Sequence, residues 1–405
     1  MQIERKIVIL PKIFKMKRIC FIVDSIFSIG GVQRVTSVIA KELAKDYDVT
    51  IVTFDDPMSK DISLYELNKA DIKYRFFSYP QIKDFKKIIC KIYSGIYLKL
   101  KLHGRWWSDL YARSSFSSEL RVALASELRE GQYDTVIGVH APLAARLATL
   151  RPLLQNVKLI GWIHNSFEAL FGKTSTYIGT ERKRHYIHQF KKLDHVIVLC
   201  NYDANEYIQY DSSLKPIVIY NPLTLQPGNK SIGNSKRFLS VGRFSHRHKG
   251  FDLLIEAFNL FATRNKEWKL DIVGEGPEEE LYRSLISKYH LEDRVKLHPF
   301  TTKIQNYYSN AQIYVLSSRW EGFGLVIVEA LSHGVPVVSS DLPTSKEIMG
   351  GAGIYFKNGS IQELAQRLDD ATKIDWQIKS EESLLVANNF NIENIINQWK
   401  GLIEK

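Results

Sequence analysis

The sequence predicts an α/β protein made of two doubly wound domains, in which parallel sheets are covered by helices on both faces. Short runs rich in Val, Ile and Leu alternate along the chain with segments whose apolar residues recur at helical spacing. The strand-like runs are apolar throughout, which is typical of parallel strands buried on both faces. At about 100–200 residues per domain, a chain of 405 residues suffices for two or three domains.

Eleven runs of this kind are candidate strands, and segments with helical spacing lie between many of them. One such segment, 32–43, follows a Gly-Gly pair, and another carries an apolar stripe over 251–261. A third helix is expected to begin near Gly324 and to end at Gly334. The candidate strands are Ile19–Val23, Val49–Thr53, Thr135–Val139, Leu159–Trp162, His195–Leu199, Ile217–Tyr220, Phe238–Val241, Leu270–Val273, Val295–Leu297, Ile313–Leu316 and Pro336–Ser339.

Turn-forming residues cluster over 202–236 and predict the boundary between the two domains. We expect an N-terminal extension over 1–15, because Met16 directly precedes the first strand pattern. The first domain then spans 16–205 and the second spans 206–385, followed by a terminal helix within 386–405. Ligands of such sheets bind beyond the carboxyl ends of the strands, so the loops that follow strands are the candidate sites.

The composition is that of a soluble globular protein, with 45% hydrophobic and 24% charged residues. No stretch has the roughly 18 uncharged apolar residues of a membrane helix. Three widely spaced cysteines suggest neither a disulfide framework nor a zinc site, and we expect a reducing, cytoplasmic compartment. The net charge of +11 arises in the first half, which has 32 basic and 19 acidic residues, against 23 and 25 in the second. A basic surface of this kind attracts nucleic acid, anionic lipid or phosphorylated substrates.

The loop from Gly242 to Gly250 follows a predicted strand and precedes a predicted helix. It contains Arg243 and Lys249, and fixed cations beside a helix start suit a diphosphate. A solvated basic loop is the alternative interpretation of this segment alone. A second anion-suited turn in the same half favours the binding interpretation.

That second turn runs from Ser317 to the helix that contains Glu329. Gly322 and Gly324 flank Phe323 directly before this helix, and glycines let a ligand approach backbone amides closely. Glu321 lies in the turn and Glu329 lies among apolar residues, where a carboxylate needs hydrogen-bond partners such as sugar hydroxyls. A carboxylate that caps a neighbouring loop is the alternative.

These motifs, taken together and in order, resemble the retaining glycosyltransferases of family 4, which have the GT-B fold. The resemblance covers nearly the whole chain and is most specific in the second half. It implies transfer of a sugar from a nucleotide-sugar donor with retention at the anomeric carbon. The matching segments are Gly30-Gly31, Val241-Gly242-Arg243, Lys249-Gly250, Val273-Gly274-Glu275-Gly276-Pro277, Glu321 and Glu329 with seven residues between them, and Gly334-Val335-Pro336-Val337-Val338.

The resemblance also implies roles for individual residues of the donor domain, 206–385. Arg243 and Lys249 would hold the donor diphosphate, and Glu321 would hydrogen-bond the hydroxyls of the donor sugar. The backbone of Gly322, Phe323 and Gly324 would steady sugar and phosphate, and Glu329 would bind the ribose. Phe300, in the loop His298-Pro299-Phe300, corresponds in position to the segment that contacts the nucleobase. We expect Arg243 and Lys249 to contribute most, because they stabilise the charge of the departing nucleotide.

In the acceptor domain, 16–205, the resemblance implicates Gly30, Gly31 and His164. The glycine pair would let the backbone approach the diphosphate, although such pairs are also common in ordinary turns. His164 follows a predicted strand and corresponds to a family histidine near the donor sugar and acceptor; a structural histidine is an equally good interpretation. The resemblance further implies that the leaving phosphate takes the acceptor proton, and that the terminal helix packs back on the first domain.

We predict no metal and no cofactor. Asp46-Tyr47-Asp48 reads as Asp-x-Asp, which coordinates a divalent ion in the other major glycosyltransferase fold. Here the motif precedes a strand, at the end of the sheet away from the expected cleft, so we interpret it as a solvated turn.

The segment 83–107 combines seven basic residues with many apolar and aromatic ones and a single acid, Asp84. Such a stretch can lie in an anionic membrane interface. A helix pair that packs on the sheet with its lysines in water is the alternative.

We therefore predict a retaining hexosyltransferase that uses a nucleotide sugar, expected to be a UDP-sugar. Its acceptor would be a glycan or a polyprenyl-linked glycan of bacterial surface polysaccharide synthesis, and the protein could act at the inner face of the membrane. A non-hydrolysing sugar-nucleotide epimerase is the second enzymatic hypothesis. A basic nucleic-acid-binding protein is a hypothesis of a different class, but no RNA or DNA module accompanies the charge and we expect no nucleic-acid partner.

Overall fold

A computed structural model describes residues 16–81, 83–102, 104–173, 175, 177–225, 228–245 and 248–405. The predicted extension over 1–15 lies outside the described residues, as do His246 and Arg247 of the predicted diphosphate loop. No helix in the described ranges combines the length and the apolar composition that crossing a membrane requires.

The first domain contains a parallel sheet of seven strands within the described residues, in the order β3-β2-β1-β4-β5-β6-β7. Its central strands are almost completely buried because helices cover both faces. The strands are β1 (Arg18–Val23), β2 (Asp48–Thr53), β3 (Ile72–Phe76), β4 (Thr135–Val139), β5 (Lys158–Trp162), β6 (His195–Val198) and β7 (Ile217–Val218). The helices are α1 (Gly31–Leu43), α2 (Asp84–Lys99), α3 (Arg105–Ser115), α4 (Ser118–Glu130), α5 (Ala141–Ala148), α6 (Phe167–Phe171), α7 (Lys183–Phe190) and α8 (Asn201–Tyr210).

The second domain repeats this plan with six parallel strands in the part of the chain that is described, in the order β10-β9-β8-β11-β12-β13. The strands are β8 (Arg237–Val241), β9 (Lys269–Val273), β10 (Val295–His298), β11 (Ile313–Leu316), β12 (Val337–Ser340) and β13 (Ile354–Phe356). The helices are α9 (Phe251–Ala262), α10 (Glu279–Lys288), α11 (Gln305–Asn310), α12 (Leu325–Ser332), α13 (Pro343–Met349), α14 (Ile361–Ala371), α15 (Trp376–Ala387) and α16 (Ile392–Glu404).

The two parallel sheets confirm the predicted α/β fold with two Rossmann-like domains. The chain stays in the first sheet longer than the boundary at 205–206 predicts. That boundary falls inside α8, and β7 pairs with β6 before the chain passes to the second sheet at β8. The last helix, α16, packs against the first domain. There the ring of Trp399 contacts that of Trp162 edge to face, with 4.8 Å between the ring centroids.

The strand order places the ligand-binding crevice of each domain. In both sheets the order reverses beside the first strand, between β1 and β4 and between β8 and β11. Loops that leave the sheet there diverge to opposite faces and open a crevice at the carboxyl ends of the strands. The residues that follow β1, β4, β8 and β11 are therefore the ones to inspect for a site.

Candidate active site between the two domains

Gly250 brings the loop after β8 into contact with the loop after β11. Its φ is +63°, a left-handed conformation that favours glycine, and a Cβ there would lie 2.1 Å from the carbonyl oxygen of Ser317. The Ser317 hydroxyl donates to the Lys249 carbonyl oxygen at 2.8 Å. Lys249 is thereby held at the start of α9, next to the second turn.

Lys249 and Glu321 form a buried ion pair at this junction. The Lys249 Nζ lies 2.6 Å from Oε1 of Glu321, and the Ser318 hydroxyl donates to the same oxygen at 2.6 Å. Burial alone would raise the pKa of Glu321, but Lys249, His248 and Ser318 together hold that pKa below its usual value. Glu321 is thus an ionised carboxylate, although only 8% of the residue is exposed.

Gly322 is the point at which the turn that contains Glu321 contacts the first domain. A Cβ at Gly322 would lie 2.2 Å from the carbonyl oxygen of His164 and 3.3 Å from the Asn165 Cα. This backbone contact leaves no room for a side chain, so a glycine is required for the two domains to approach this closely. The backbone of Gly322, which follows Glu321, therefore meets the backbone of His164 across the cleft.

His164 is buried and its imidazole is neutral. Burial, with a smaller contribution from His140, keeps the pKa of His164 well below its usual value. Its ring lies 4.2 Å from that of Trp162, and its Nε2 is buried with no hydrogen-bond partner among the described residues. A buried ring nitrogen without a hydrogen bond is uncommon, and a hydroxyl of a bound ligand is one partner that could satisfy it.

His140 is a site residue that the sequence analysis missed. It stands between β4 and α5 with a φ of +77°, and its ring lies 5.4 Å from that of His164. Burial lowers the pKa of His140, while the charge of Asp24 and a hydrogen bond with Asn165 oppose that shift. Its place at the carboxyl end of β4, equivalent to that of His164 after β5, was a signal available in the sequence.

Glu329 lies on α12 with only 2% of its surface exposed, and it has two partners. It forms an ion pair with Arg34 of α1, and its Oε2 accepts a hydrogen bond of 2.9 Å from the Tyr308 hydroxyl. The Nε of Arg34 is buried with no partner among the described residues. Nothing in the local sequence indicates that Arg34, from the first domain, reaches this glutamate, so sequence analysis missed both partners.

The starts of α1 and α12 lie side by side at this contact. A Cβ at Gly31 would lie 3.5 Å from Leu325 Cδ1, and the Gly30 N–H donates to the Tyr65 hydroxyl at 2.8 Å. Gly324 precedes α12 with a φ of +86°, again a conformation that favours glycine. The positive ends of two helix dipoles therefore meet where the resemblance expects the diphosphate.

The remaining predicted donor-site residues differ in how exposed their side chains are. The Phe323 side chain is buried against Tyr220 and Phe390, so only its backbone can serve the site. Arg243 is exposed and makes no side-chain hydrogen bond or ion pair within the described residues, which leaves its guanidinium available to a ligand. Phe300 is 41% exposed in the loop after β10.

The described residues contain no group of three His, Cys, Asp or Glu side chains that could hold a metal ion. Asp46 and Asp48 lie at the amino end of β2, where they pair with Lys400 and with Lys73 and Arg18. The site as built offers cations, helix starts and two buried carboxylates, which together suit a phosphorylated sugar.

Two Rossmann-like domains that face each other across such a cleft have the arrangement of the GT-B fold. Solved structures of similar shape include that of Anabaena HepE in complex with UDP and glucose, with a TM-score of 0.73 and 19% identity. This alignment covers 96% of the present chain and 100% of HepE. TarM is similar at a TM-score of 0.72 and 17% identity, over 97% and 99% of the two chains.

Two family models match adjoining parts of the sequence. The model described as Glycosyltransferase Family 4 matches residues 29–226, and the model described as Glycosyl transferases group 1 matches residues 224–384. Between them they span residues 29–384 and therefore both domains, and both models describe glycosyltransferases.

Two curated relatives that align over their whole length are named as glycosyltransferases. An uncharacterized glycosyltransferase of Haemophilus influenzae is 28% identical over 401 residues, covering 96% of this chain and 100% of the relative. The amylovoran biosynthesis glycosyltransferase AmsD of Erwinia amylovora is 24% identical over 400 residues, with the same coverage.

Proposed function

We propose that the protein is a retaining glycosyltransferase that transfers a hexose from a UDP-sugar to a glycan or lipid-linked glycan in bacterial surface polysaccharide synthesis. The observation that carries this proposal is the Lys249–Glu321 ion pair, in a turn whose Gly322 contacts the His164 backbone at the crevice between the domains. HepE was solved in complex with UDP and glucose. AmsD is named for amylovoran biosynthesis, and a relative from Staphylococcus aureus is named as a poly(ribitol-phosphate) α-N-acetylglucosaminyltransferase. These names support the choice of donor and acceptor.

The diphosphate would lie between Arg243, Lys249 and the starts of α1 and α12. Breaking the bond between the sugar and the phosphate leaves negative charge on the nucleotide, and fixed cations stabilise that charge as it develops. Lys249 is already oriented by Glu321, so little reorganisation accompanies donor binding. No metal or cofactor enters this scheme.

Glu321 would accept hydrogen bonds from the hydroxyls of the donor sugar. The unpaired Nε2 of His164 would bind a hydroxyl of the donor sugar or of the acceptor. For retention, the acceptor oxygen attacks the anomeric carbon on the face from which the nucleotide departs, and the leaving phosphate takes the acceptor proton. No side chain is then needed as a base.

The ribose would bind Glu329 without displacing its present partners. An ionised carboxylate offers about four acceptor positions, and Arg34 and Tyr308 use two of them. The buried Nε of Arg34 is a further donor for an oxygen of the nucleotide. Phe300, exposed after β10, would contact the base.

One experiment tests the donor site. The purified protein is incubated with a panel of nucleotide sugars, and nucleotide release and the shift in melting temperature are measured. We expect UDP-sugars to stabilise the protein and to release UDP slowly without an acceptor, and Lys249→Ala to abolish both effects. Lys266→Ala, an exposed lysine of the same domain, is the matched control. An unchanged response in Lys249→Ala would contradict the proposal.

Product analysis separates transfer from the epimerase hypothesis. An epimerase needs no acceptor, so it would convert the donor into an isomeric nucleotide sugar in the donor-only reaction. A transferase yields free UDP and sugar, or a glycoside when an acceptor is added. NMR of the new glycosidic bond then establishes whether the configuration of the donor is retained.

A further inference from the structure

The helices α2 and α3 form a hairpin that turns much of its apolar surface toward water. The helices pack on each other through Tyr97 and Tyr111, whose rings stack at 4.3 Å. Tyr97 is the one buried residue of α2. An amphipathic helix on a globular domain normally faces its apolar stripe toward the core, and α2 does the opposite.

The exposed stripe follows one side of α2. Phe85, Ile88, Ile92 and Ile96 are spaced three or four residues apart, so they share a side of the helix, and Phe85 and Ile92 are 76% and 58% exposed. Apolar surface of this extent on a protein marks a binding surface. The stripe is extended by other exposed apolar residues of the hairpin, namely Ile89, Leu100, Trp106 and Trp107.

The same hairpin carries a cluster of basic residues that lack acidic partners. Lys86 and Lys87 pair with Glu119 and Asp84. The remaining basic residues are exposed and form no ion pair within the described residues: Lys83, Lys91, Lys99, Lys101 and Arg105. Cations beside exposed isoleucine and tryptophan complement a surface that is anionic outside and apolar beneath, which is the interface of an anionic bilayer.

The hairpin follows β3, whose carboxyl end lies at the same end of the parallel sheet as the carboxyl ends of β4 and β5. The chain leaves the carboxyl end of β3 shortly before α2 begins, and His140 and His164 follow the carboxyl ends of β4 and β5. It is also tied to the segment after His164, since Arg182 Nε donates to the Tyr111 hydroxyl at 3.1 Å. A surface that binds the hairpin would therefore contact the first domain, which also carries His140 and His164.

We propose that the α2–α3 hairpin is the surface by which this protein docks on an anionic lipid bilayer. The docked domain would receive its acceptor from the membrane, and this consequence rests on the proposed function. Binding to the bilayer itself does not depend on the enzyme activity.

The test is flotation of the full-length protein with vesicles of phosphatidylcholine, with or without phosphatidylglycerol. One variant replaces Lys91, Lys99, Lys101 and Arg105 with Gln, and a second variant is Ile88→Ser, Ile92→Ser, Ile96→Ser. All seven side chains are exposed, and melting temperatures check that both variants fold. Matched controls on the second domain are Lys266→Gln with Lys357→Gln, and Ile378→Ser with Leu385→Ser.

We expect the wild type and both controls to float with the anionic vesicles, with binding weakened by added salt. Each basic residue near an anionic surface strengthens binding by about five-fold, so the variant that lacks four of them should bind several hundred-fold more weakly. The serine variant should lose binding by a similar factor. The proposal would be overturned if the wild type failed to bind the vesicles or if the hairpin variants bound as well as the wild type. It would also be overturned if these variants changed their oligomeric state and kept their binding.

UDP release measured without vesicles keeps the two proposals distinct. The hairpin variants should release UDP from the donor at the wild-type rate, since no hairpin residue belongs to the donor site. Absence of UDP release from the wild type would contradict the proposed function while leaving the flotation result intact.

Discussion

Arg34 and Glu329 join the two domains through an ion pair inside the cleft. Arg34 lies in the first turn of α1, and Glu329 lies on α12 of the other domain, where it is almost completely buried. Removing one partner of a buried ion pair strands the other charge in a medium of low dielectric constant. The pair therefore favours the arrangement in which the starts of the two helices lie side by side.

We predict that Arg34→Met destabilises the protein by up to about 3 kcal/mol, because Glu329 then retains only the Tyr308 hydroxyl. Arg34→Met combined with Glu329→Gln should recover part of this loss, since no unpaired charge remains. Chemical denaturation of the single and double variants measures the difference.

The control is Lys236→Met, which breaks an exposed ion pair with Glu267 and should cost less than about 1 kcal/mol. If the Arg34 variant were as stable as this control, the pair would not hold the domains together. Weaker UDP binding in Arg34→Met would further support its place beside the nucleotide.

Lys249→Ala should reduce the rate of transfer by about 100- to 1000-fold, because one preorganised contact to the departing diphosphate is lost. Lys249→Arg should recover only part of the rate, since a guanidinium differs in shape from the ammonium that now meets Glu321 at 2.6 Å. Initial rates with a saturating donor measure the effect. A change confined to the KM of the acceptor would contradict this role.

Lys249→Met should reverse the pH dependence of stability that Glu321 contributes. With Lys249 present, the pKa of Glu321 lies below its unfolded value, so its stabilisation holds at neutral pH and is lost as the pH falls through the folded pKa. In Lys249→Met, burial dominates and raises the pKa of Glu321. The variant should then be least stable at neutral pH and should gain stability relative to wild type on acidification, which unfolding curves at several pH values can measure.

Sequence patterns were sufficient for the interior strands but not for two edge strands. β3 reads Ile-Lys-Tyr-Arg-Phe, and its alternation of charged and apolar residues reflects its place at the edge of the first sheet. β13 has three residues and ends the second sheet. β3 lacks the continuous apolar run that identifies a strand buried on both faces, and the run of β13, Ile-Tyr-Phe, is too short to identify one.

Sequence patterns likewise predicted some of the site residues and not others. Lys249 and Glu321 belong to local motifs, in which glycine, charge and helix start are adjacent along the chain. Arg34 and Tyr308 join the site only through the packing of elements distant in sequence, such as α1 against α12. No local pattern encodes such a contact, so sequence analysis without an alignment had no signal for Arg34 or Tyr308.

His164 and His140 should make the protein less stable in mild acid. Burial lowers the pKa of both imidazoles, so between the folded and unfolded pKa values only the unfolded state takes up the proton. Their stabilisation is present above the unfolded pKa and falls as the pH drops below about 6.5, by at most about 1.4 kcal/mol per pH unit for each histidine. His164→Asn should show a shallower loss than wild type between neutral pH and pH 5, measured by denaturation at each pH. An equal slope would indicate that His164 is accessible to protons in the folded protein.

Gly322→Ala tests the contact between the domains with the smallest possible change. The added methyl group would lie 2.2 Å from the carbonyl oxygen of His164, so the second turn must move away from the first domain and carry Glu321 with it. We expect a loss of transfer activity of at least about ten-fold, because a displacement near 1 Å in a catalytic site is costly. Gly351→Ala is the control, since a Cβ at that position meets nothing within 4 Å. UDP release should be slower in Gly322→Ala than in wild type, and small-angle scattering should show that its two domains have moved apart. The control should match wild type in both measurements. Wild-type activity in Gly322→Ala would mean that catalysis does not need this close approach.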